Sequence, residues 1–174
     1  MTTRRANRTG RSLNERFAPS PPCACEICLG YCQRPGWWSV DQAAAAIDAG
    51  LANRMMLEPA PDRSFGVLAP AFRGNECHFA QQQYAAAGCT FLVDQRCALF
   101  GSGQQPLECR FCHHDRRGEG LHCHAALETD WRRPAGCALV VRWCKLTGLW
   151  DHLDRYGLPQ LKHSAQAGAG RKRS

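Results

Sequence analysis

Between Cys89 and Cys123 the chain places five cysteines and three histidines within 35 residues, in a run with little apolar content. Thiolates and imidazoles at that density are the donors that zinc and iron–sulfur centres use. Cys109 and Cys112 form a Cys-x2-Cys unit, and Cys25 and Cys28 form another far upstream. The turn inside such a unit brings two sulfurs to one metal, so two distant units point to a four-coordinate site. Cys32, Cys89, Cys97 and Cys123 add further thiolate candidates, enough in all for two tetrahedral zinc ions or two cubane clusters. His113, His114 and His124 each stand close to a candidate cysteine and can replace a thiolate, take an open position or remain polar neighbours. Cys23 is a spare ligand beside Cys25. With sulfur donors alone, zinc and iron–sulfur look alike in sequence, and the surplus of thiolates over histidines favours iron–sulfur.

The remaining cysteines read differently. Cys137 and Cys144 belong to the last helical stretch and Cys77 to an apolar helix face, where thiols pack as small hydrophobes. Trp37-Trp38 and Trp143/Trp150 read as core. The chain has no phosphate-binding glycine loop, no nucleophile elbow and no HExxH, and its acidic residues suggest no general acid–base pair. No catalytic residue is assigned. A reactive thiol, Cys112 beside His113, is the enzyme version of the reading.

Composition limits the partners. The net charge of +7 sits in the tails: +4 over residues 1–22, +4 over 162–174 and −1 between them. These ends read as disordered basic tails, flanking one cysteine-cluster domain over residues 23–161. They offer only weak, salt-sensitive attraction for nucleic acid. A zinc-stabilised nucleic-acid or protein-binding module using those tails is the alternative function. No run approaches the roughly 20 apolar residues of a membrane helix. The first residues carry positive charge without an apolar segment after it, which argues against a signal peptide. Twelve cysteines without a secretory leader point to thiolate ligands in the reducing cytoplasm.

The elements that must position these donors are short. Ser39 and Gln42 form a capping box for a helix over Val40–Ala49, ended by Gly50. Leu51–Leu57 extends the apolar surface, and Phe65–Phe72 reads as a buried extended segment. Asn75 caps an expected helix over Glu76–Ala87. Thr90–Val93 and Cys97–Phe100 form a hairpin about Asp94–Arg96. A short helix over Cys123–Trp131, a break at Arg132–Gly136 and an amphipathic helix over Ala138–Tyr156 follow. The expected fold is an α-rich α+β single domain with several helices and a short hairpin, stapled by a Cys-ligated metal centre.

One succession of motifs resembles a known group. Gly88-Cys-Thr-Phe-Leu92, then Cys97-Ala-Leu-Phe100, then Pro106-Leu-Glu-Cys109-Arg110, after a cysteine cluster at Cys25, Cys28 and Cys32, is similar to the YkgJ-type cysteine-cluster family, a zinc- or iron-chelating domain. The first cluster lacks that family's paired terminal cysteines, and Gln105 replaces an arginine. The resemblance covers about half the chain. It implies that Cys25, Cys28, Cys32, Cys89, Cys97 and Cys109 are ligands, and it leaves the metal open between zinc and iron. Some larger proteins with this domain are associated with lysine methylation, for which nothing else in this chain speaks.

Overall fold

The computed structural model describes residues 11–158 and Leu161. Most of the tail at 162–174 and residues 1–10 of the expected basic lead lie outside the described residues. The architecture is the α-rich α+β fold expected, with a helical layer laid against a small antiparallel pair of strands.

The described part of the lead carries α1 (Leu13–Arg16), capped by Ser12 with Glu15 returning the bond. It lies against the body: Arg110 donates to the carbonyls of Asn14 and Phe17 at 3.1 and 2.6 Å, and the Phe17 and Phe111 rings meet edge-on at 5.7 Å. Next come α2 (Glu26–Tyr31), with Cys25 at its N-cap, and α3 (Val40–Asp48). The α3 capping box forms as the sequence predicts, and Val40, Ala43, Ala46 and Ile47 turn into the core. Gln42 does more than cap. Its amide oxygen accepts from Leu107 N at 3.0 Å, and its amide nitrogen donates to Gln105 O at 3.1 Å. One buried side chain thus fixes the loop that leads to Cys109.

β1 (Met55–Pro59) and β2 (Gly66–Pro70) pair antiparallel from Met55 opposite Pro70 to Pro59 opposite Gly66. Pro70 falls at the strand end, where its missing N–H costs least. The helix expected over Glu76–Ala87 does not form. Residues 77–80 instead run beside the free edge of β1: Cys77 N bonds to Met55 O, Leu57 N to His78 O and Ala80 N to Leu57 O. The edge groups of a strand need partners when buried, and this segment supplies them. Cys77 has a positive φ of 56°, and Asn75, buried, donates to Phe79 O at 3.0 Å rather than capping a helix. Only a 3₁₀ turn, Gln82–Ala87, remains of the predicted element. The hairpin is present as β3 (Leu92–Val93) and β4 (Arg96–Cys97).

α4 (Gly120–Trp131) starts three residues earlier than expected and buries Cys123, Leu127 and Trp131. The break is at Arg132–Arg133, and Pro134 opens α5 (Pro134–Thr147) at its first turn, where proline is tolerated. Gly148 adopts the left-handed conformation and ends α5, so the single helix expected to Tyr156 is divided, with a 3₁₀ segment over Trp150–Tyr156. α5 packs on β2, α3 and α4, burying Leu139, Val140, Trp143 and Cys144. Leu146 of the expected stripe is exposed. Among the described residues no helix is long and apolar enough to cross a membrane.

Candidate metal centre

Two prolines, Pro21 and Pro22, keep the chain extended as it approaches α2. Cys23 therefore reaches past the helix start, Cys25 takes the N-cap, and Cys28 sits one turn on. The backbone N–H groups of Cys28 and Ile27 point at the Cys25 sulfur and pull its pKa down to about 7. Cys28 is buried, and burial pushes its thiol up to about 11.

From the other side comes the loop after Cys112. His114 Nδ1 stands 3.4 Å from Cys28 Sγ and 3.6 Å from both Cys23 Sγ and Cys25 Sγ. One donor atom each from Cys23, Cys28, His113 and His114 lies within 4.8 Å of the others, a group that can hold a metal ion. The His113 and His114 rings stack at 4.4 Å. Their nitrogens are differently committed. Asp115 N donates to His113 Nδ1 at 3.2 Å, so that atom carries the lone pair and Nε2 the proton. His114 Nε2 faces Asp115 Oδ1 at 3.3 Å, which puts the proton there and leaves Nδ1 bare toward the thiols.

Beyond Cys28 opens a cavity of ≈ 660 Å³ whose wall includes Cys32, Cys89, Cys97, Cys109 and Cys112. Cys89 N donates to Cys32 O at 2.9 Å, joining the first cysteine segment to the second through the backbone. Trp37 and Trp38 position the third. Trp37 N donates to Glu108 Oε2 at 2.8 Å, and Trp38 Nε1 to Gln104 O at 2.7 Å. Gly36 must be glycine, because a Cβ there would stand 2.9 Å from Cys109 N. Its N–H donates to Cys109 Sγ at 3.2 Å, and Phe91 N donates to Cys89 Sγ at 3.4 Å. Burial raises Cys32 to about 11 and Cys89 to about 12. Cys109 and Cys112 share a thiol hydrogen bond that holds the proton on Cys109 and lowers Cys112.

Seven of the eight cysteines named as ligands from sequence therefore border one of two adjoining places. Cys123 does not. It lies fully buried among α4's core residues, and burial pushes its thiol up to about 12. His124 stacks on Trp37 at 4.3 Å and pairs with Glu108 at 2.7 Å, away from the thiols. Cys23, His113 and His114 join the group although the sequence left them open. Their signal was adjacency, Cys23-x-Cys25 and Cys112-His-His. All twelve cysteines are free. In comparisons with known proteins, the chain matches no family model, no curated protein and no solved structure.

Proposed function

We propose that this chain is a metal-binding protein whose Cys/His group holds zinc on Cys23, Cys25, Cys28 and His114 Nδ1. The carrying observation is the set of three sulfur–nitrogen separations of 3.4–3.6 Å about one bare imidazole nitrogen. A tetrahedral zinc with Zn–S about 2.3 Å and Zn–N about 2.0–2.1 Å sets sulfur and nitrogen about 3.6 Å apart. His113, with its proton on Nε2, is a donor to a neighbouring thiolate rather than a ligand. The motif likeness to YkgJ-type chelating domains supports a metal role for Cys25 and Cys28.

A site closed by four protein ligands is structural. Its consequence here is to fasten the segment before α2 to the Cys112–Asp115 loop, which α1 and Arg110 already bring together. The test is metal content after purification in zinc-containing medium. Wild type and His113→Gln retain stoichiometric zinc, whereas Cys25→Ala and His114→Ala lose it. Wild-type protein without stoichiometric metal overturns the proposal, and zinc loss in His113→Gln but not Cys25→Ala overturns the ligand set.

A further inference from the structure

The thiol-lined cavity is not used by the zinc reading, and its chemistry differs. Its donors are all sulfur, with no histidine among Cys32, Cys89, Cys97, Cys109 and Cys112. All-thiolate surroundings select zinc or iron–sulfur, and spacing separates the two. One zinc ion draws four sulfurs to about 3.8 Å of one another, given Zn–S of about 2.3 Å. Among the described residues, the Cys/His group is the one set of three or more donors gathered within 4.8 Å. The five cavity sulfurs stand farther apart, around a volume of ≈ 660 Å³. A cluster suits that arrangement, because its own iron and sulfide atoms occupy the middle and its ligands sit outside them.

The lining supports a charged sulfur shell. The N–H groups of Gly36 and Phe91 already point at Cys109 Sγ and Cys89 Sγ. Those of Leu99 and Phe100 point at Cys97 and favour its ionised form. Backbone donors to sulfur are a recognised lever on cluster potential. Leu29, Leu99, Phe100 and Pro106 supply apolar wall.

We propose that this cavity is a second metal centre, separate from the Cys/His group, and that it takes an iron–sulfur cluster. Cys32, Cys89 and Cys97 hold it, with the fourth thiolate from the Cys109–Cys112 unit. The division crosses the ligand set that the motif resemblance implies: Cys25 and Cys28 serve the zinc, and Cys112 joins the cluster side. Helix α2 connects the two, with Cys28 facing the ion and Cys32, one turn on, facing the cluster. The cluster supplies one-electron redox chemistry, and the chain's own part is to ligate it, donate N–H bonds to its sulfurs and limit water.

The experiment is anaerobic purification from cells supplied with iron, sulfur source and zinc, followed by iron, acid-labile sulfide and zinc analysis and visible absorption. Wild type carries iron with matching sulfide, beside stoichiometric zinc, and shows a brown charge-transfer band that dithionite bleaches. Cys97→Ala and Cys112→Ala, on separate loops, drop to trace iron and sulfide yet keep zinc. His114→Ala keeps the brown band and loses zinc. A colourless wild type, with zinc alone or no metal, overturns the cluster whatever the variants do. Joint loss of iron and zinc from all three variants, with wild-type far-UV circular dichroism, overturns the two-centre division. Failure of the zinc reading is separately visible as a brown wild type without zinc.

Discussion

Asp115 offers a direct test of how His114 is prepared for a metal. Its Oδ1 lies 3.3 Å from His114 Nε2, while its backbone N–H serves His113. Replacing the side chain leaves that backbone bond in place, so the perturbation falls on His114 alone. A carboxylate behind a ligating imidazole fixes the tautomer and raises ligand basicity, and its loss costs roughly 10–100-fold in metal affinity. The Asp115 side chain is 75% exposed, so water screens the pair and the lower end applies. Asp115→Ala should therefore weaken zinc binding about tenfold, or about 1.4 kcal/mol. Asp115→Asn, which keeps an oxygen acceptor without the charge, should fall between. Competition with a chromogenic zinc chelator near neutral pH measures both. Asp115→Ala binding zinc as tightly as wild type would refute the tautomer reasoning.

Glu58 is pushed above the ordinary carboxylate range by burial and by Glu108, against the pull of its hydrogen bond from Trp37 Nε1. A raised folded pKa means that the folded state holds the proton more tightly, so this group favours folding at low pH and opposes it as pH rises through the folded value. Glu58→Gln keeps an acceptor for Trp37, so its thermal midpoint should exceed wild type by a few degrees at neutral pH. That gap should vanish as pH falls below the unfolded value of about 4.3; a gap that is constant with pH contradicts the assignment. Cys144 is fully buried in α5 and remote from both thiol groups. Cys144→Ala should cost roughly 1 kcal/mol in urea unfolding and leave metal content unchanged; metal loss from a folded variant would place Cys144 in a centre.

The local devices were legible because each is complete within a few residues. Ser39 and Gln42 make their capping box from neighbours, and the Asp94–Arg96 turn joins strands that need only each other. The Cys-x2-Cys units likewise announce donors whatever surrounds them. The expected helix at Glu76–Ala87 failed for the opposite reason. Its apolar positions also suit a segment beside β1, and the unpaired edge of β1, invisible to local pattern, took the backbone. Cys123 looked like a ligand from its place after the Cys-His-His run. The earlier start of α4 at Gly120 puts it on the same buried face as Leu127 and Trp131.

The sequence by itself therefore determined the kind of chemistry, soft sulfur and nitrogen donors on a small helical support, since side-chain type is a property of the chain alone. Tertiary structure decided the grouping. Gln42, Trp37 and Trp38 hold the Cys109 loop from a distance, Arg110 ties down the segment before α2, and Asp115 decides which His114 nitrogen is bare. Which donors meet depends on contacts between residues some 60–100 positions apart, and no local spacing encodes those.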